Sequence, residues 1–289
     1  MPFAHAVRNK VLTVRECKEW LIGELQSITD VATFEANELL YAATNTERGA
    51  LLYRQNVRLT DGEMRRLKRL LYRRKTGQPL QYLLGEWEFY SLPFMVGRGV
   101  LIPRADSELL VDLALEEIPT ESTARLYDLC AGSGALGIAI AHHRPELSVT
   151  AVEKSRKAYG YLQKNIKRNR VSVRAIRADL FRWRPEVRAE YLICNPPYIT
   201  AEEMQQLEKE VTREPTMALF GGKDGLTFNR FFSTEIDRFL KPGGRLWVEI
   251  GWKQGEAVSA LFASAGFTGV EVLHDLAGND RVVTAVRPE

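Results

Sequence analysis

The sequence predicts an α/β protein: a doubly wound, mostly parallel sheet of seven strands with an antiparallel edge hairpin, preceded by a small N-terminal helical domain. Three observations predict this. From about residue 105 to the end, apolar runs alternate with amphipathic stretches, as strand and crossover helix must in a parallel sheet. The first 77 residues show helical periodicity without strand patterning. The last two apolar runs follow each other with no helix between them, so they must pair antiparallel.

The helical part, residues 1–77, opens with Thr13 and Glu16 spaced as a capping box ahead of Cys17, Trp20, Leu21 and Leu25. Phe34, Leu39, Leu40 and Tyr41 predict a second helix. Thr60 with Glu63 is a second capping box, opening a helix with Met64, Leu67, Leu70 and Leu71 on one face and Gly77 as its stop. The opposite face carries Arg65, Arg66, Lys68, Arg69, Arg73, Arg74 and Lys75. It reads either as a solvated helix face or as a docking surface for an acidic or RNA-bearing partner. Residues 78–104, where aromatics alternate with Gly and Pro, read as a hairpin or extended connector. The third part, 105–289, holds the strands: RLYDLC, SVTAVE, VRAI, YLICN and RLWVEI as buried parallel runs, then Val270–Leu273 and Arg281–Val286 as the edge hairpin.

Bulk properties narrow the class. A chain of 289 residues, 45% hydrophobic and 27% charged, reads as one or two globular domains. There is no apolar run of membrane-spanning length, and MPFAHAVRNK lacks the pattern of a signal peptide. Cys17, Cys130 and Cys194 are too scattered for a disulfide framework, and His5, His142, His143 and His274 have no metal-ligand spacing. A cytoplasmic protein without a metal is therefore expected. The net charge of +3 argues against a protein that coats nucleic acid.

The first predicted strand ends at Asp128 and Leu129, and Gly132-Ser133-Gly134-Ala135-Leu136-Gly137 follows Cys130 and Ala131. Glycines let a backbone turn tightly and approach a ligand. The spacing matches a dinucleotide-binding fingerprint, and Glu153 closes the next strand where a ribose-binding carboxylate belongs. A nicotinamide dehydrogenase is thus one reading. S-adenosylmethionine fits better: Asp128 suits a cationic ligand with an amino group rather than a pyrophosphate, and the loop has no basic residue for phosphates. Asp179 offers an acceptor for an adenine amino group, or else a helix N-cap.

The fourth strand runs into Asn195-Pro196-Pro197-Tyr198. Ligands of open α/β sheets bind at the carboxyl ends of strands, so this motif and the glycine loop face one crevice. The prolines fix the backbone. Asn195 offers a side-chain oxygen and Pro196 a carbonyl, two acceptors for the N–H groups of a planar NH₂, and Tyr198 supplies a flat face. Two acceptors raise the electron density of a poorly nucleophilic amide nitrogen and stabilise positive charge on it. That is electrostatic stabilisation with positioning, and requires no general base.

With these motifs in place, the sequence resembles the release-factor glutamine methyltransferases, which N5-methylate the glutamine of the Gly-Gly-Gln motif in class I peptide chain release factors. The resemblance runs from Gly77–Tyr82 and Gly85 through Leu101–Arg104, Ser107-Glu108, the glycine loop and Asn195–Ile199. It continues through Glu208, Glu210-Val211, Glu214-Pro215, Ala218-Leu219, Gly221-Gly222 and Asp224–Leu226 to Glu249–Gly251, Gln254 and Asp280-Arg281. It implies a Rossmann-like methyltransferase sheet, S-adenosylmethionine as cofactor, release factors as partners, and a helical domain that helps grip them. The implied cofactor residues are Asp128, Ala131, Gly132, Ser133, Gly134, Ala135, Glu153, Asp179, Leu180, Phe181 and Asn195. The implied substrate residues are Asn195, Pro196, Pro197, Tyr198, Arg104 and Glu108, with Asn195, Pro196 and Tyr198 at the chemistry. The sequence departs from the family pattern at Ser107 and Ala131, where Thr is usual, and at Glu153, where Asp is common. Arg213 and Leu180 stand where aromatics are frequent, which leaves Phe181 to cover the adenine.

Two other readings remain. A DNA adenine or RNA base N-methyltransferase would use the same four residues with Tyr198 stacked on a flipped base, but would carry a larger basic surface. A non-catalytic cofactor-binding protein would have no reason to keep Asn195 and both prolines.

Overall fold

The structure, a computed structural model, describes residues 12–46 and 49–289. The N-terminal stretch read above for a signal peptide, with His5, lies outside the described residues. The chain divides into two compact units between Gly85 and Glu86.

The first unit holds helices α1 (Val14–Leu25), α2 (Ala32–Thr44), α3 (Ala50–Tyr53), α4 (Asp61–Lys75) and α5 (Leu80–Leu84). Both capping boxes are formed. The Thr13 N–H donates to Glu16 Oε2 at 2.9 Å and the Glu16 N–H returns to Thr13 Oγ1 at 3.3 Å. Thr60 and Glu63 repeat this at 2.7 and 3.3 Å. Each box satisfies amide donors that a helix start leaves open. Cys17, Leu21, Leu25, Leu39, Leu40 and Leu67 form a dry core. The second predicted helix forms as α2, with Leu39 and Leu40 buried beside Ala36 and Ala43 and Phe34 44% exposed. One expectation needs correction. Arg74 does not share the exposed basic face of α4. It is buried, with Nε and Nη2 donating to the two carboxylate oxygens of Glu35 at 2.6 and 2.8 Å. Helix α4 ends at Lys75 and Gly77 adopts φ +84°. The chain then forms α5 within the first unit, so the first residues of the expected connector are helical. Gly85, at φ +79°, ends it.

The second unit opens with a hairpin, β1 (Glu86–Phe89) and β2 (Leu92–Met95). Its two-residue turn puts Tyr90 and Ser91 at φ 50° and 59°, the left-handed geometry that matches strand twist. Side chains secure this strained corner: Glu108 Oε1 accepts the Tyr90 N–H and Asp112 Oδ1 accepts its hydroxyl, both at 2.7 Å. The sheet contains β3 (Arg125–Leu129), β4 (Ser148–Glu153), β5 (Val173–Arg177), β6 (Ala189–Cys194), β7 (Leu240–Glu249), β8 (Thr268–His274) and β9 (Asp280–Val286). Their order is β5-β4-β3-β6-β7-β9-β8. β3 to β7 are parallel, and β9 is antiparallel to both its neighbours. The last strand in sequence therefore inserts inside the hairpin edge. Burial explains which strand goes inside: Val282–Ala285 are buried without interruption, whereas β8 is mostly exposed or half-buried.

Helices cover both faces. The hairpin with α6 (Glu108–Glu117), α7 (Ala135–His143) and α8 (Arg156–Asn169) seals one; α10 (Thr227–Glu235) and α11 (Gly255–Ser264) seal the other. The short helix α9 (Thr216–Leu219) lies in the excursion between β6 and β7. The chain moves outward from β3 to β5 and then returns to place β6 beside β3. This reversal opens a crevice at the carboxyl ends of those two strands. Among the described residues, no helix is long and apolar enough to cross a membrane, and no group of His, Cys, Asp and Glu is arranged to hold a metal ion.

Candidate active site

A cleft of about 1100 Å³, counted to its open mouth, lies at that crevice. Its wall includes Arg104, Asp128, Ala131, Gly132, Ser133, Ala135, Glu153, Asp179, Leu180, Phe181, Asn195 and Pro197. The topology thus brings the glycine loop and the Asn-Pro-Pro-Tyr corner to one cavity. Four expected site residues do not line it: Glu108, Gly134, Pro196 and Tyr198. Glu108 Oε1 accepts the Tyr90 N–H at 2.7 Å, which places this carboxylate at the hairpin turn. Gly134 acts one layer back. It starts α7 at φ +83°, and a Cβ there would stand 2.5 Å from Leu162 Cδ1.

The glycine loop leaves β3 through Cys130, itself at φ +59°. Asn165, fully buried on α8, fastens the loop to the hairpin. Its Nδ2 donates to the carbonyls of Ser133 and Met95 at 2.9 and 3.1 Å, and its Oδ1 accepts the Met95 N–H at 2.7 Å. The third glycine, Gly137, makes room for a carboxylate: a Cβ there would lie 2.7 Å from Asp128 Oδ2, which accepts the Gly137 N–H at 3.0 Å. Asp128 Oδ1 is buried and has no hydrogen-bond partner among the described residues. Burial pushes the Asp128 carboxyl up to about 7; the Gly137 N–H opposes this and Glu153 adds to it. Glu153 is buried at the end of β4, where Oε2 accepts the Gly132 N–H at 2.8 Å and Oε1 the Ser155 N–H at 2.5 Å. Burial raises its pKa despite these bonds.

Asp179 caps no helix, because only a turn follows β5. Oδ1 accepts the Phe181 N–H at 3.1 Å in a local turn, and Oδ2 lies 3.0 Å from Lys154 Nζ. Burial alone would raise its pKa, but Lys154 and the Phe181 N–H bring it below the ordinary carboxylate range. Leu180 is buried. Phe181 is 36% exposed, with its ring 5.2 and 4.7 Å from those of Phe228 and Phe231.

At the end of β6, Asn195 Nδ2 donates to Ser107 Oγ at 3.0 Å, and Ser107 Oγ donates to Glu249 Oε2 at 2.5 Å. The Tyr198 hydroxyl donates to Glu249 Oε1 at 3.2 Å, so the phenol is anchored inward rather than offered as a free face. Gln254 fixes the same corner: Nε2 donates to the Tyr198 carbonyl at 3.0 Å, and Oε1 accepts the Gly251 N–H at 2.9 Å. The Ile199 N–H donates to the Leu219 carbonyl, and the Gly221 N–H to the Ile199 carbonyl, each at 2.9 Å. A Cβ on Gly221 would stand 2.6 Å from the Pro197 carbonyl oxygen and 2.7 Å from Tyr198 Cα, so only glycine admits this approach. Glu214, buried, accepts the Ile102 N–H at 2.9 Å and pairs with Arg104 Nη2, holding that arginine at the cavity wall. Cys130 and Cys194 do approach each other; the buried Cys194 thiol is pushed up by burial first and by Cys130 beside it.

Sequence reasoning named Ser107, Glu214, Glu249 and Gln254 only as marks of a resemblance. Two of them carry a physical signal of their own: Glu249 is an acidic residue at the buried end of a central strand, and Glu214 stands before a proline. Lys154, Met217 and Phe228, which also line the cavity, carried no signal.

The fold and the cavity define a methyltransferase. Residues 106–223 match the family model "Methyltransferase small domain", and residues 16–85 match "PrmC N-terminal domain". A methyltransferase structure from Pyrococcus furiosus superposes with a TM-score of 0.54 over 78% of this chain and 99% of its own, at 16% identity, which supports the fold alone. The release factor glutamine methyltransferase of Geobacter sulfurreducens is 36% identical over 278 residues, 96% of this chain and 97% of its own length. That of Salmonella typhimurium is 37% identical over 269 residues, 92% and 96% of the two chains. This chain belongs to the release factor glutamine methyltransferase family.

Proposed function

We propose that this chain transfers a methyl group from S-adenosylmethionine to the side-chain amide nitrogen, N5, of the glutamine in the Gly-Gly-Gln motif of class I peptide chain release factors, in the cytoplasm. The observation that carries the reading is that one cavity joins an unpartnered buried carboxylate oxygen, on Asp128, to the side-chain amide of Asn195.

The residues present fit the cofactor. Asp128 Oδ1 suits an ammonium group, because a buried carboxylate is stable only when paired. Glu153 keeps lone pairs for ribose hydroxyls beyond its two N–H bonds. Asp179 suits the adenine amino group, with Leu180 and Phe181 beside the ring and the backbone of 131–135 along the nucleoside. When bound, S-adenosylmethionine supplies a methyl group on a sulfonium sulfur, which keeps the bonding pair as the methyl leaves.

The chain's own part is to hold the substrate. Asn195 Oδ1 accepts one N–H of the glutamine amide, and the carbonyl of Pro196, a buried residue between the lining residues Asn195 and Pro197, accepts the other. These acceptors direct the nitrogen toward the cofactor end of the cavity and stabilise the positive charge it gains with the methyl group. One nitrogen proton then passes to solvent. Arg104 borders the entrance used by the substrate loop. Tyr198 acts by locking the corner rather than by touching the amide. The helical unit, with Arg65, Arg66, Lys68, Arg69, Arg73 and Lys75 exposed on α4, is the proposed grip on the release factor.

The test is methyl transfer from labelled S-adenosylmethionine to a purified class I release factor, with a Gln-to-Ala variant of its Gly-Gly-Gln loop as control. Label on the wild-type factor alone is the expected result. Label on DNA or RNA offered in parallel, and none on the factor, would move the substrate to a nucleic-acid base.

A further inference from the structure

Ser107 and Glu249 are both buried; Ser107, at the cavity wall, bonds directly to Asn195, and Glu249 bonds to Ser107 behind it. Ser107 closes the short helical turn Ala105–Ser107. Glu249 ends β7 beside β6, whose Cys194 pairs with Val248, so it stands next to the strand end that carries Asn195. Both carboxylate oxygens of Glu249 accept hydroxyl protons, from Ser107 at 2.5 Å and from Tyr198 at 3.2 Å.

A hydroxyl has one proton. Burial raises the Glu249 carboxyl to about 7, opposed by the Ser107 hydroxyl and Arg281; in its ionised form Glu249 takes the Ser107 hydrogen bond, which leaves the serine oxygen only as an acceptor toward Asn195. The group facing it from Asn195 must then be a donor, the Nδ2 that lies 3.0 Å away. The opposite orientation would set Asn195 Oδ1 against the lone pairs of the buried Ser107, two acceptors in contact at a part-buried site. An asparagine amide is nearly symmetric in shape, and packing alone does not choose between its two orientations. Hydrogen-bond polarity does.

We propose, resting on the reading that Asn195 receives the substrate amide, that Ser107 and Glu249 are positioning residues that fix the Asn195 amide with its oxygen toward the cavity. They thereby set the site to accept from an N–H group rather than donate to a carbonyl. The carboxylate orders the serine proton, the serine oxygen orders the Asn195 NH₂, and Asn195 Oδ1 is left for the substrate. The specificity for an NH₂-bearing group is thus written at Glu249, three hydrogen bonds from the group it selects. The other charges near Glu249 are Arg281 on β9, itself paired with Asp275 at 2.9 Å and Asp106 at 3.4 Å. None of these bonds to Asn195, so the polarity passes through Ser107.

The experiment compares wild type with Ser107→Ala, Ser107→Thr and Glu249→Leu in three measurements. These are kcat on a release factor, Kd for S-adenosylmethionine by calorimetry, and solvent exchange of the Asn195 side-chain amide protons by NMR. Ser107→Ala should lower kcat roughly 10- to 100-fold and speed exchange about tenfold, with Kd within about twofold of wild type. Ser107→Thr, which keeps the hydroxyl, should restore both kcat and slow exchange. Glu249→Leu should behave like Ser107→Ala, because the serine proton becomes free to turn toward Asn195. Wild-type kcat and wild-type exchange in Ser107→Ala would overturn the proposal, as would a Ser107→Thr variant as slow as Ser107→Ala. If the wild-type enzyme fails to methylate a release factor while the exchange pattern holds, the substrate reading fails and the orientation of Asn195 stands.

Discussion

The two strand ends that meet at the cavity are finished in opposite ways. After β3, the glycine loop surrounds a buried carboxylate that has one oxygen bonded to Gly137 and the other without a partner among the described residues. After β6, the polar side chains are spoken for: Asn195 by Ser107, Ser107 and Tyr198 by Glu249, and the backbone of Tyr198 by Gln254. The first end holds an electrostatic demand that a cation must meet. The second is a finished mould whose remaining acceptors are already oriented. A transferase that brings a charged cofactor together with a neutral amide has use for both, since charge can be recognised by one strong interaction while a neutral amide has to be recognised by shape and hydrogen-bond polarity.

This contrast can be broken at either end. The largest effect is expected at the mould. Asn195→Ala should lower kcat on a release factor by about 10²- to 10³-fold, the scale of losing an oriented group that stabilises developing charge. At the other end, Asp128→Asn should weaken S-adenosylmethionine binding by about 100-fold, because a buried ion pair loses one partner. Calorimetry reads this directly, and kcat at saturating cofactor should change far less.

Next comes the backbone of the mould. Gly221→Ala places a methyl group against the Pro197 carbonyl and Tyr198 Cα. The strain should reduce kcat roughly tenfold and lower stability by about 1–3 kcal/mol, with cofactor Kd unchanged. Urea unfolding and steady-state kinetics on the same preparation check both.

The smallest effect sharpens the contrast by pH. The folded-state pKa of Asp128 is raised to about 7 by burial, above its unfolded value. A raised carboxyl favours the folded state only while it is protonated, so this stability is present below about pH 4 and is lost as pH rises through 7. Asp128→Asn removes that loss. The variant without cofactor should therefore melt about 5 °C above wild type at pH 8, and the gain should shrink toward zero at pH 4. Saturating cofactor should narrow the gap at pH 8, since its ammonium supplies wild-type Asp128 with the missing partner. A gap independent of pH would show that Asp128 is already neutral and is not the cation's site.

The same contrast explains what was readable in the sequence. The loop and the Asn-Pro-Pro-Tyr corner are contiguous motifs at the ends of buried runs, and the sheet rule places both at one crevice. Local chemistry was legible too: Thr13–Glu16 and Thr60–Glu63 close their caps three residues apart. The misses are long-range. Arg74 looked like one more surface cation on a basic helix, because its partner Glu35 lies 39 residues away. The bond of Glu108 to the Tyr90 turn, 18 residues away, also carried no sequence signal. Ser107 and Glu249 are 142 residues apart, and their link is visible only once β6 and β7 are side by side. Periodicity and spacing report what neighbours in sequence do, whereas the pairing of buried polar groups depends on which strands the topology makes adjacent. The place of β9 inside the edge hairpin was readable in principle, since Val282–Val286 is an uncharged run broken only by Thr284, whereas β8 carries Glu271 and His274.

The measurement that bears most directly on the division of labour is calorimetric titration of S-adenosylmethionine into Asn195→Ala and Asp128→Asn, run beside wild type. The account predicts that Asn195→Ala, though nearly inert on a release factor, binds the cofactor within about twofold of wild type, while Asp128→Asn binds about 100-fold more weakly. Loss of cofactor binding in Asn195→Ala, or wild-type binding in Asp128→Asn, would contradict it.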